Sequence, residues 1–253
     1  MLSIDINCDM GESFGNYRLG NDLRIFPYIS SCNIACGYHA GDPLHMEQTI
    51  DRALAHQVQI GAHPSYPDLA GFGRRKMHIP ANELRALLKY QIAALKGMVE
   101  SRGGRLCYVK PHGALYNSLA DNPEEGQALI DAMQEIDPEL ILMGLAGSGI
   151  EQQAAEANIP FVAEAFADRR YEDSGHLRSR SLEGAVIHDP QEAAEQVIAL
   201  IKHHHVISYP GKQIPTRAQS LCIHGDNPQA VNILVAIDEA LRQAGILKRA
   251  FSL

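Results

Sequence analysis

Apolar residues cluster in seven short runs along the chain, at residues 3–7, 31–35, 58–62, 106–110, 140–144, 160–164 and 220–224. The runs are near-continuous rather than alternating, as expected of strands covered on both faces. Between most of them the apolar period lengthens to that of a helix. Residues 81–102 show this best: Leu84, Leu87, Leu88, Gln91, Leu95, Met98 and Val99 form one stripe that ends at Gly103-Gly104. Val231, Leu234, Val235 and Leu241 repeat the stripe before Gly245. Strands alternating with helices predict a parallel sheet with crossover helices.

Helix starts are marked by polar residues. Asp42-Pro43, Asn122-Pro123, Asp189-Pro190 and Asn227-Pro228 each set a capping oxygen before a proline. Glu125 and Glu192 add an acid three residues past their caps. Two stretches have no periodicity, 66–80 and 168–187, and both read as long loops of the kind that carry function. Residues 206–217, centred on Pro210-Gly211, read as a small hairpin. No repeat or linker divides the chain, so residues 1–253 are expected to form a single β/α-barrel domain, a size common for that fold.

The formal charge of −8 argues against a nucleic-acid or anionic-membrane partner, both of which require a basic footprint. No apolar run approaches the ~20 residues of a membrane span. The N-terminus enters the first strand without a signal pattern, which predicts a cytoplasmic protein. Four of the five cysteines, Cys8, Cys32, Cys107 and Cys222, fall in or beside strands and read as buried apolar residues. Cys36 precedes a glycine in a polar loop and is the exception.

In a parallel barrel the C-terminal strand ends converge on one face. Those positions hold Asp5, Asn7, Asp9 and Glu12 after the first run, then Asn33, His39 and Asp42, then His63. Further on come Lys110 and His112; Glu164, Asp168, Arg169 and Arg170; and His224 and Asp226. Asp5, Asn7 and Asp9 share parity and so share a side, with Asp9 nearest the mouth. His39 and His224 each precede an expected helix cap, where backbone N–H groups suit an anion. Imidazole plus carboxylate suits a divalent metal, held by His39, His63 and His112 with Asp5 or Asp9 (Asp9, His39 and His63 foremost), though neither HxH nor HExxH spacing occurs. The run His203-His204-His205 reads as a solvated helix end. Neither Gly71–Lys76 nor the glycines at 144–149 has P-loop spacing.

Seven stretches together carry a resemblance: DINCDMGE at 5–12, SCNIACGYHAGD at 31–42, GAHPSYP at 61–67, GFGR at 71–74, VKPHGALYN at 109–117, EAFADRRY at 164–171 and LCIHGDNP at 221–228. In this order they resemble the LamB/YcsF family over nearly the whole chain. The resemblance implies an α/β fold, a seven-stranded parallel TIM-like β/α barrel related to sugar and polysaccharide deacetylases. It also implies ATP-dependent opening of the lactam 5-oxoproline to L-glutamate, with ATP and magnesium as co-substrate and 5-oxoprolinase subunits B and C as partners. Within that expectation Asp9 or Glu12 would act as base, and His63 or His112 as acid or oxyanion donor. Lys110 and Arg169 would hold anionic charge, with Asn7, Asn33, His39, His224 and Asp226 around the substrate. Two other readings stay open: a metal-dependent N-acetyl sugar deacetylase, and a non-catalytic protein that only binds the substrate for its partners.

Overall fold

All seven apolar runs become strands of one closed barrel. A computed structural model describes residues 2–252. The strands are β1 (Ser3–Met10), β2 (Ser31–Ala35), β3 (Gln59–His63), β4 (Leu106–Val109), β5 (Ile141–Leu145) and β6 (Phe161–Phe166). A hairpin of β7 (His205–Ile207) and β8 (Gln213–Pro215) precedes β9 (Ser220–Ile223), and a short β10 (Leu247–Lys248) follows. The barrel runs β1-β2-β3-β4-β5-β6-β9 and closes by pairing β9 with β1, every pair parallel. β10 pairs with the first residues of β1.

Among the described residues eight α-helices accompany the strands: α1 (Asp22–Ile25), α2 (Pro43–Ala55), α3 (Ala81–Ser101), α4 (Gly113–Leu119), α5 (Pro123–Ile136), α6 (Gly149–Glu156), α7 (Pro190–His203) and α8 (Ala230–Gln243). Asp42, Asn122 and Asp189 cap α2, α5 and α7 with their side chains, as their sequence predicts. Asn227 does not. The Gly225–Pro228 stretch forms turns and α8 starts at Ala230, so Asn227 accepts only the Gln229 N–H while its amide reaches toward Asp168. Of the stripe on α3, Leu84, Leu88, Gln91, Leu95 and Val99 are buried as read, with Ile92 added, while Leu87 and Met98 are half-buried at its margin; Gln91 is its one polar member. Its amide clasps both backbone groups of Ser65, at 2.9 Å each, and so anchors the start of the 66–80 loop.

Cys36 corrects its reading. It is buried, its thiol faces the Ile34 carbonyl, and burial pushes the thiol up to about 12, which removes it as a nucleophile. His203-His204-His205 sits as expected, with His204 in the left-handed conformation that ends α7.

Inside the barrel the layers are polar, unlike the branched apolar layers usual in such folds. Asp5 accepts hydrogen bonds from Ser30 (2.6 Å), Ser31 (2.7 Å) and Ser220. Above it Asn7 donates to Glu164 and Ser220, both at 2.8 Å. Tyr108 fills the remaining space beside Gly61, where a Cβ would collide with the ring. Its hydroxyl donates to Asn33 at 2.7 Å.

Burial raises the Asp5 carboxyl from 3.8 to about 6, against the three serine hydroxyls. The folded chain therefore holds this proton more tightly than the unfolded chain, and Asp5 makes stability fall as pH rises from about 4 to about 6. The size is on the order of 3 kcal/mol. Urea unfolding of Asp5→Asn should show a flatter pH dependence than wild type across that window. Identical slopes would contradict the assignment.

Candidate functional site

The strand ends open into a cavity of about 800 Å³. Of the residues expected from the sequence, Asp9, His63, Lys110, His112, Arg169 and His224 line it. The walls also hold Tyr116, Arg74, Arg178 and Arg180. The last two come from the 168–187 loop, whose arginine-rich composition signals a functional loop without saying which residues turn inward.

Lys110 follows directly on β4 and points into the barrel, 2 % exposed. Its ammonium lies 3.0 Å from both Asp9 and Glu164, donates to the Asn7 side-chain Oδ1 at 3.2 Å, and sits 2.9 Å from the Cys222 sulfur. Burial disfavours the charge, but Asp9, Cys222 and Glu164 raise the ammonium's pKa well above its ordinary value. Burial also favours protonated Asp9, yet His63 and Lys110 hold that carboxyl well below the usual range. Asn33 adds a hydrogen bond to Asp9 at 2.8 Å. The result is a fixed carboxylate at the floor of the cavity.

Across the mouth, Asp168 accepts from His224 Nδ1 at 2.9 Å. Burial opposes the Asp168 charge, but His224 and Arg180 hold the carboxyl below its ordinary range. The bond fixes the imidazole tautomer, leaving Nε2 bare on a ring that lines the cavity and stacks on Phe166. Arg169 is buried and donates to the carbonyls of Ala185 (3.2 Å) and Arg178 (2.5 Å). Burial and the nearby Arg180 lower its pKa to about 10, so it remains a cation at neutral pH.

Beside the floor, His39, His63 and His112 crowd around Glu12. His63 Nε2 is 2.9 Å from His112 Nδ1 and 3.3 Å from Asp9. Glu12 is 3.2 Å from His39 Nε2 and 3.8 Å from His112 Nδ1. Burial, with Asp9 and Asp226, raises Glu12 well above the ordinary range; burial, with His63, lowers His39. Glu12 and His39 therefore meet as neutral groups, not as an ion pair.

The structure separates the other expected residues from the cavity. Asn7 and Asn33 lie in the barrel interior, with amides committed to Glu164, Ser220 and Asp9. Glu12 and His39 belong to the histidine cluster. Asp226 pairs with Arg74 at the rim, Arg170 pairs with Glu192, and Asp42 caps α2. For a metal, the geometry offers two groups among the described residues, Glu12 with His39, His63 and His112, and Asp9 with Cys222 and His224; Asp9 of the second is also paired with Lys110.

The LamB/YcsF family profile matches residues 4–252. The chain belongs to the LamB/YcsF family. A relative from Bacillus cereus (strain AH187), named as the A subunit of 5-oxoprolinase, is 49 % identical over 97 % of this chain and 98 % of its own length. The crystal structure of the lactam utilization protein from Thermus thermophilus is 42 % identical. It superposes with a TM-score of 0.93 over 99 % of this chain and 100 % of that one. A family 4 carbohydrate esterase from Streptomyces lividans, in complex with acetate, shares the fold at 12 % identity and a TM-score of 0.51, covering 99 % and 93 % of the two chains. The TIM-like barrel is thus common to this LamB/YcsF protein and the esterase, and the cavity residues of this chain stand on their own geometry.

Removing one partner of a buried ion pair strands the others. Lys110→Met should lower the unfolding free energy at neutral pH by about 3–5 kcal/mol, measured by chemical denaturation. A loss below about 1 kcal/mol would show that the ammonium does not hold Asp9 and Glu164 together.

Proposed function

We propose that this chain is the A subunit of an ATP-dependent 5-oxoprolinase, a hydrolase that opens the cyclic amide of 5-oxo-L-proline to L-glutamate. The observation that carries the reading is the pairing of an arginine-rich wall with a fixed carboxylate and a His–Asp pair in one cavity. The names borne by the Bacillus cereus and Thermus thermophilus relatives support the substrate.

The chemistry sets the requirements. A lactam is resonance-stabilised and a poor electrophile, so coupling to ATP, with magnesium, makes its carbonyl carbon attackable, for instance by phosphorylating the carbonyl oxygen. Subunits B and C are the partners in that coupling. Arg169 and Arg180 would take the negative charge of the substrate carboxylate or of a phosphoryl group. Asp9, held ionised by Lys110 and His63, would orient the attacking water. His224, its tautomer set by Asp168, would accept the water's proton at Nε2 and return it to the ring nitrogen as the C–N bond breaks, leaving an acyl phosphate that a second water hydrolyses to glutamate and inorganic phosphate. Lys110 is already neutralised by two carboxylates, so its part is to hold Asp9 in place.

Mixing this chain with subunits B and C, 5-oxoproline, ATP and magnesium should release glutamate, and omitting any component should abolish it. Absence of glutamate in every combination would reject the assignment. In the assembled complex Asp9→Asn and His224→Gln should each lower glutamate release by about 10²–10⁴. Wild-type rates in both would make this chain a non-catalytic member of the complex.

A further inference from the structure

The tautomers of two histidines are fixed by backbone. His63 Nδ1 lies 2.6 Å from the Lys110 carbonyl oxygen, and His112 Nε2 lies 2.8 Å from that of Phe72. A carbonyl accepts, so both of those nitrogens carry the proton. The opposite nitrogens, His63 Nε2 and His112 Nδ1, then face each other 2.9 Å apart with no hydrogen between them. Two bare lone pairs at that distance repel.

Something positive must lie between them: in the metal-free chain a shared proton, which lets His63 face Asp9 at 3.3 Å as a cation, and in the loaded site a metal ion in its place. His39 stacks on His112 with ring centroids 3.7 Å apart, and its Nδ1 has no hydrogen-bond partner among the described residues. Glu12 brings a carboxylate oxygen to the same point, and all four side chains are buried. Around a tetrahedral zinc with ligands at about 2.1 Å, neighbouring ligand atoms stand about 3.4 Å apart. The separations of 2.9, 3.2 and 3.8 Å bracket that spacing. Carbonyls that accept from the far side of ligating imidazoles are the usual outer support of such sites. Gly73 closes the cluster: a Cβ there would come within 2.8 Å of the His112 ring and 2.9 Å of the His39 Cβ.

We propose that Glu12, His39, His63 and His112 form a binding site for one first-row divalent cation of the zinc type. Three imidazoles and one carboxylate are the donor set such ions take. His63 and His112 also line the large cavity, so the site lies at its edge. A cation held there supplies Lewis-acid polarisation of a carbonyl oxygen. The proposal stands apart from the lactam reading, because binding is read without substrate, partners or ATP.

The wild-type chain, stripped with a chelator and freed of it, is titrated with Co²⁺ and followed by its visible absorption. One equivalent should bind, Zn²⁺ should displace it, and X-ray absorption of the zinc form should give N/O ligands at about 2.0–2.1 Å. His39→Gln and Glu12→Gln, checked for folding by circular dichroism, should weaken binding by more than the roughly 10–100-fold that loss of an outer partner costs. Replacing His203, His204 and His205 together by alanine should leave binding unchanged. Binding that vanishes with that surface run, or that survives undiminished in both site variants, would overturn the proposal. So would failure of the wild-type chain to bind either ion.

Discussion

A lysine ammonium enclosed in the barrel, clasped by two carboxylates, is the constraint on which the rest of the site depends. Enclosing these charges is costly, and Coulomb attraction offsets the cost only when the geometry is held and the remaining lone pairs are satisfied. The barrel supplies that: Asn7 and Asn33 fill the gaps between the charged groups, and Tyr108 supports Asn33. Strand register sets the levels. Asp5 pairs with Ser220, Asn7 with Ser31 and Asp9 with Asn33, so each polar layer follows from the parallel pairing of β1 with its neighbours. The interior gives up apolar packing for a network that fixes one carboxylate, Asp9, where the cavity begins.

Above that floor the site divides into two halves with different chemistry. On the β1–β4 side, three imidazoles and Glu12 crowd together. On the β6–β9 side, Asp168 and His224 form a pair with one free nitrogen, and the arginines of the 168–187 loop give that wall its positive charge. On the proposed reading, an anionic ligand would be drawn toward the second half with its reacting centre over Asp9. A cavity of about 800 Å³ exceeds what a single small lactam fills, which leaves room for a phosphoryl group or for a partner's reach.

Much of this is legible without coordinates. Period-two parity alone puts Asp5, Asn7 and Asp9 on one face, and apolar runs with capping residues locate every barrel strand and three helix starts. Where the structure departs from the sequence pattern, the reasons are physical. A cap at Asn227 is outcompeted by the turns of Gly225–Pro228 and by the pull of Asp168. Short helices such as α4 and α6 have too few turns to show a stripe. Roles are harder to read than positions: the sequence leaves Lys110 free to hold substrate, yet its charge is already answered by Asp9 and Glu164. Glu12 and His39 belong to the mouth by sequence but lie in the buried histidine cluster beside it, Glu12 just past a left-handed turn at Gly11. Pair distances of this kind depend on several loops meeting, which one-dimensional spacing does not encode.

The central claim is that the cavity over Asp9, walled by Arg169 and His224, is where the lactam binds. The most direct measurement is a crystal structure of this chain with 5-oxo-L-proline. The account predicts ligand density in that cavity, with the carboxylate toward Arg169 and Arg180 and the lactam carbonyl carbon over Asp9. Ligand bound elsewhere on the chain, with that cavity holding solvent, would contradict it.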